Sequence, residues 1–126
     1  MKILFVCIGN SCRSQMAEGL ARARVAGKHE IWSAGTAPAD RVSPGAIQAL
    51  AERGIDIAGH VPKGLGDVPE KIDLAVTLCG DDCAAVWADR REHWPVRDPV
   101  GGPIELFREI RDEIDARIGE LLERLR

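Results

Sequence analysis

The sequence predicts an α/β fold: a three-layer sandwich with a central four-stranded parallel sheet flanked by helices. Three observations predict it. Short apolar runs alternate along the chain with stretches of helical periodicity, and Gly and Pro punctuate the junctions. The chemically loaded residues cluster just after two of the apolar runs, where a parallel sheet covered on both sides binds its ligands.

Lys2-Ile-Leu-Phe-Val-Cys7 is the first strand, an apolar run too short for anything but a buried one. Ser14 to about Ala26 reads as a helix stopped by Gly27, and His29 to Ser33 as the second strand, leading into a turn with Gly35 and Pro38. Ser43-Pro44 opens a helix through about Arg53, with serine as cap, proline at the first helical position and Gly54 as the stop. Ile72 to Leu78 is a strongly apolar third strand, and a short fourth one is expected near His93 to Val96. Pro103 starts the last helix, where Ile104, Phe107, Ile110, Ile114, Ile118, Leu121, Leu122 and Leu125 recur every three or four residues as a core stripe.

The 126 residues suit one domain, residues 1–126, with no repeat or linker to divide it. Acids and bases are interspersed and the net charge is −3, which gives no basis for binding nucleic acid or an anionic membrane. No apolar run approaches the roughly 20 residues of a membrane span, and the first strand is too short for a secretion signal. A cytoplasmic location is expected, and nothing argues against a monomer. In a reducing compartment, Cys7, Cys12, Cys79 and Cys83 suggest redox or metal chemistry rather than a disulfide framework.

Cys7-Ile8-Gly9-Asn10-Ser11-Cys12-Arg13-Ser14 follows directly on the first strand. A cysteine and an arginine separated by five residues can close a loop around one tetrahedral oxyanion. Backbone N–H groups point inward, the guanidinium fork grips two oxygens, and the sulfur sits below the central atom. Gly9 lets the backbone approach the anion, and the helix from Ser14 aims its positive end at the same pocket. These surroundings favour the thiolate of Cys7. The alternative, a small buried hydrophobe at a strand end, does not account for strand, loop, arginine and helix arriving in that order.

Cys79 ends the third strand as Cys7 ends the first, so neighbouring parallel strands would put both thiols on one sheet edge. Cys79-Gly-Asp-Asp-Cys83, if helical, would hold its thiols with Cβ atoms about 5–6 Å apart. A disulfide needs roughly 3.8 Å. Joining them should therefore unwind the turn, and Gly80 with two aspartates makes a poor helix. Zinc held by Cys79, Cys83 and His93, with Cys12 or Asp98 as a fourth ligand, is a rival. Two cysteines merely tolerated in a loop are another. Asp98-Pro99 supplies a carboxyl to protonate a departing oxide, one whose pKa the negative charge in the pocket would raise.

Together these residues resemble the low-molecular-weight tyrosine phosphatase family, and more closely its thioredoxin-coupled arsenate reductase branch. The resemblance runs essentially the whole length, through Val6 to Gly19, Ser33-Ala-Gly35, Val76-Thr-Leu-Cys79, Glu92-His-Trp94, Asp98-Pro99 and Arg108 to Ile114. A phosphatase of the family would carry proline after Cys-Arg-Ser and aromatic residues after Asp-Pro. Gln15 and Val100-Gly101 stand there instead, and the chain has no tyrosine. The extra cysteine pair is likewise absent from the phosphatase pattern.

The resemblance implies reduction of arsenate to arsenite without a cofactor. Cys7 attacks arsenic, Arg13 and the loop amides hold its oxygens, and Asp98 protonates the departing hydroxide. Cys79 then expels arsenite as a Cys7–Cys79 disulfide forms, and Cys83 moves the disulfide to Cys79–Cys83, which thioredoxin reduces. A glutaredoxin or a small thiol is an alternative donor. Cys12 is structural in this scheme, and Asn10 and Ser11 orient the loop and hydrogen-bond Cys7. The Cys79-to-Cys83 spacing is shorter than in the best-known relatives. A monovalent cation can sit beside the loop in relatives, at positions matching Asn10, Glu18 and Ser33 together with an acid near position 63. Here Lys63 would stand in for that ion, making the reaction indifferent to potassium. The alternative reaction on the same loop is phosphomonoester hydrolysis through a Cys7 phosphocysteine, which needs neither Cys79 nor Cys83. A third reading is a regulator that binds the oxyanion or a metal without turnover.

Overall fold

The computed structural model describes residues 1–79 and 87–126. Its elements run β1 (Lys2–Cys7), α1 (Arg13–Val25), β2 (Glu30–Gly35), α2 (Pro44–Ala51), a 3₁₀ turn (Leu65–Asp67), β3 (Leu74–Thr77), β4 (Arg90–His93) and α3 (Ile104–Arg124). The four strands form one parallel sheet in the order β2-β1-β3-β4. The α/β class and the four-stranded parallel sheet expected from the sequence are both present.

Alternation along β1 divides the core. Ile3, Phe5 and Cys7 join Leu74, Val76 and Leu78 in the larger apolar cluster, packed against buried side chains of α1, α2 and α3. Leu4 and Val6 face the other way, into a smaller cluster with Ala34, Val68, Ile72 and Ala75. On α3, Phe107, Ile110, Ile114, Ile118 and Leu121 are buried, as their spacing predicts. Gly45 permits the close approach of α2 to α3, because a Cβ there would lie 2.5 Å from the Phe107 ring. No helix among the described residues is long and apolar enough to cross a membrane.

Several boundaries differ from the sequence reading. β4 spans Arg90–His93 rather than His93–Val96, and its residues are mostly exposed, as suits a charged sheet edge. The apolar Trp94 and Val96 beyond it are buried, and their amides donate to Thr77 O at 2.8 Å and Leu78 O at 3.3 Å. Their hydrophobicity marks burial beyond the strand end. β2 continues past Ser33 to Gly35 because its register with β1 extends to Cys7↔Gly35. β3 is confined to Leu74–Thr77, and α2 stops at Ala51, ahead of Gly54 with φ 74°. The Ser43 side chain makes no capping bond; its backbone N–H donates to Ser11 O at 2.7 Å, so the residue ties α2 to the loop.

Candidate active site

The segment from Cys7 to Ser14 wraps from the end of β1 into the first turn of α1, which begins at Arg13 with Cys12 as its N-cap. Its carbonyls are taken up from outside. Those of Cys7, Ile8, Gly9 and Ser11 accept from the amides of Thr36, Ala37, Ala39 and Ser43 at 3.2, 2.8, 2.9 and 2.7 Å, and that of Cys12 accepts from Met16 at 2.8 Å. A trans peptide directs its N–H opposite to its C=O. The amides of Ile8, Gly9, Asn10, Cys12 and Arg13 therefore turn toward the inside of the loop, a concave set of donors at a helix N-terminus that suits an anion.

Gly35 makes this wrap possible. A Cβ at that position would stand 2.5 Å from Ile8 O and 2.8 Å from Asn10 N, so only glycine lets the strand end and the loop lie so close. Asn10 takes the left-handed conformation with φ 49°, which asparagine tolerates better than most residues.

Cys7 is a buried free thiol at the foot of the loop, and its Sγ lies 2.8 Å from Ser14 Oγ. The partner is Ser14, not Asn10 or Ser11 as the family resemblance implies. Asn10 instead serves the site indirectly, donating from Nδ2 to Ser14 Oγ at 2.8 Å and to Ser33 Oγ at 3.0 Å. Arg13 is buried, with one guanidinium nitrogen donating to Leu78 O at 3.1 Å and Val96 O at 3.0 Å. Two of its five N–H groups are so employed, which fixes the plane of the fork and leaves the others for an anion. Its Nη2 lies 3.9 Å from Asp98 Oδ2. The Asp98 side chain is 53% exposed at the mouth of the site and its Oδ1 accepts from Val100 N at 3.0 Å, so Asp-Pro forms a turn that presents the carboxyl.

Cys79 lies just beyond β3 and belongs to the same buried cluster as Cys7, and the Leu78 N–H before it donates to Val6 O at 2.8 Å. Cys79 is disulfide-bonded, whereas Cys7 and Cys12 are free. Cys83 lies outside the described residues. Burial, reinforced by the negative charges of Asp98 and Cys7, pushes the Cys12 thiol well above the ordinary range, leaving it a neutral packing group. His93, considered above as a zinc ligand, is engaged through Nδ1 with Thr77 Oγ1 at 2.7 Å. Among the described residues no group of three or more His, Cys, Asp or Glu side chains is placed to hold a metal ion.

The residues named for a monovalent cation do converge. Glu18 is buried; its Oε1 accepts from Ser33 Oγ at 2.6 Å, and its Oε2 lies 2.8 Å from Arg22 and 3.5 Å from His60. Lys63 Nζ sits 3.4 Å from both Glu18 Oε1 and Ser33 Oγ. An ammonium thus occupies the neighbourhood where a cation would be held. Gln15 and His60, which the sequence reading left without a role at the site, also join this network. A glutamine following Cys-Arg-Ser in place of proline was the only signal in the sequence, and it carried no geometry.

Known proteins resemble this chain over nearly its whole length. The family described as low molecular weight phosphotyrosine protein phosphatase matches residues 2–126. An arsenate reductase of Staphylococcus aureus (strain Newman) is 41% identical over 121 residues, covering 92% of this chain and 92% of that protein. Arsenate reductase 1 of Staphylococcus haemolyticus (strain JCSC1435) is 41% identical over 128 residues, covering 98% and 96%. A solved structure described as an arsenate reductase in the phosphate binding state superposes with a TM-score of 0.91 at 35% identity, over 99% of this chain and 98% of that one. With the anion loop, its arginine and the parallel sheet in place, the chain belongs to the low molecular weight phosphotyrosine protein phosphatase family.

Proposed function

We propose that this protein reduces arsenate to arsenite by a relay of three cysteines, with thioredoxin as the final reductant. One observation carries the reading: two buried cysteines, Cys7 and Cys79, share one apolar cluster at the carboxyl ends of adjacent parallel strands, and Cys7 opens an oxyanion loop. Hydrolysis of a phosphomonoester would have no use for the second thiol. The proteins named arsenate reductases at 41% identity support the choice of oxyanion.

Arsenate enters the loop with its oxygens on the inward amides and Arg13. The Cys7 sulfur attacks arsenic, and the departing oxygen takes a proton from Asp98 to leave as water. Cys79, as a thiolate, then attacks the Cys7 sulfur. The S–As bond breaks with its electron pair going to arsenic, which leaves as As(III) arsenite, and a Cys7–Cys79 disulfide remains. Cys83 attacks Cys79 and releases Cys7 as a thiol, moving the disulfide to Cys79–Cys83. The two electrons gained by arsenic thus come from a pair of thiols, and a dithiol such as reduced thioredoxin restores them. Oxidised Cys79 beside a free Cys7 is the distribution the last step leaves.

Ser14 and Asn10 orient the nucleophile, and Lys63 takes the place of a bound cation, so turnover is independent of potassium. The protein acts as a cytoplasmic monomer. The test is NADPH consumption and arsenite formation with thioredoxin and thioredoxin reductase. The parent turns over many times, and Cys7→Ser abolishes the reaction. A parent that hydrolyses p-nitrophenyl phosphate efficiently, forms no arsenite, and is unaffected by Cys83→Ser would establish the phosphatase reading instead.

A further inference from the structure

We propose that Gln15 is a positioning residue for the Cys7 nucleophile, acting through Asn10 and Ser14 and itself oriented by His60. The inference rests on Cys7 being the nucleophile and is independent of which oxyanion it attacks. Gln15 is fully buried, and every polar atom of its side chain is engaged. Its Nε2 lies 3.2 Å from Val61 O and 3.0 Å from Asn10 Oδ1. A backbone carbonyl only accepts, so Nε2 must face it, and Oε1 is left toward His60 Nδ1 at 2.9 Å. That contact requires the hydrogen on Nδ1 of His60.

The Asn10 amide is fixed by the same logic. Lys63 N–H only donates and lies 2.8 Å from Asn10 Oδ1, so Nδ2 faces the two serines. Ser14 Oγ therefore accepts from Asn10, and its own hydrogen is free for Cys7 Sγ at 2.8 Å. The donors run in one direction, from His60 through Gln15, Asn10 and Ser14 to the sulfur. Each amide in such a chain polarises the next, which strengthens the last bond toward a sulfur anion. Gln15 also braces Asn10 in its left-handed conformation, where two acceptor bonds on Oδ1 hold the side chain against rotation. A proline at position 15 would have no side-chain amide to do either.

The test measures alkylation of Cys7 by iodoacetamide, which needs no oxyanion and so separates failure of this inference from failure of the arsenate reading. Cys79 and Cys83 are changed to serine in every variant to leave one reactive site; Cys12 is buried and neutral. Gln15→Met keeps the bulk and removes the hydrogen bonds, and we expect alkylation to slow about tenfold. Ser14→Ala should slow it to a similar extent, and the double variant should be no slower than Ser14→Ala alone. Loss of packing alone would give additive effects. His60→Ala, at a half-buried site, should slow alkylation about threefold, again with no effect in the Ser14→Ala background. It decides the matter if Gln15→Met does not fold. Parent-like rates in Gln15→Met, or independent losses in the double variants, would overturn the inference.

Discussion

Replacing Gly35 with alanine perturbs the oxyanion loop at one defined point. The new Cβ would meet Ile8 O at 2.5 Å and Asn10 N at 2.8 Å, whereas ordinary contact begins at 3.4 Å, so the loop and strand must part by about 0.9 Å. Both atoms belong to backbone, and neither can rotate away. The bonds from Thr36 to Cys7 O and from Ala37 to Ile8 O hold the two segments together immediately after the intrusion. Overpacking of this kind costs about 1–3 kcal/mol, or roughly 4 °C of melting temperature per kcal/mol in a chain of this size. The functional effect is larger, because a displacement of about 1 Å in a positioning element can cost about a hundredfold in rate. Single-turnover arsenite formation and phosphate affinity, measured with the melting temperature, read the two effects separately. A Gly35→Ala protein that melts within 2 °C of the parent, binds phosphate as well and reacts as fast would refute the derived loop geometry.

Three further outcomes are expected. Parent activity should change less than twofold between sodium and potassium buffers, because the Lys63 ammonium already stands beside Glu18 and Ser33; strong activation by potassium would contradict this. Asp98→Asn should slow the first chemical step by about 10²–10⁴-fold in single-turnover assays, while oxyanion affinity holds or improves because a negative charge has left the mouth of the site. Hydrogen bonds from Arg124 hold the Glu92 carboxyl below its ordinary range. A depressed folded pKa stabilises above the unfolded value near 4.3, and that stability is lost as pH falls through the folded value. Arg124→Ala should therefore lower the melting temperature only slightly at pH 7, since the pair is partly exposed, and not at all once Glu92 is protonated. An equal deficit at both pH values in thermal melts would contradict that assignment.

The loop was legible because its chemistry is contiguous: Cys7 to Ser14 carries nucleophile, donors and cation in one stretch between a strand and a helix. The stripe of α3 was legible for the same reason, a local period that repeats over 21 residues. What escaped was distributed over distant segments. β4 is charged because it borders solvent, so its sequence carries no apolar alternation, and the buried Trp94 and Val96 next to it draw the expected strand about three residues too far along. In sequence Gly35 reads as a turn residue, because its need for the absence of a side chain comes from Ile8 and Asn10, distant in sequence. The bond to Cys7 went to Ser14 because the left-handed Asn10 turns its amide toward the serines, a choice set by the Lys63 amide from another segment.

Exposing a Cys83→Ser protein to excess arsenate, without any reductant, and then counting arsenite per chain and mapping the disulfides by mass spectrometry tests the relay most directly. One arsenite per chain, accompanied by a bond between Cys7 and Cys79, is the predicted result. Sustained turnover on adding thioredoxin, or arsenite released with Cys7 and Cys79 both still reduced, would contradict it.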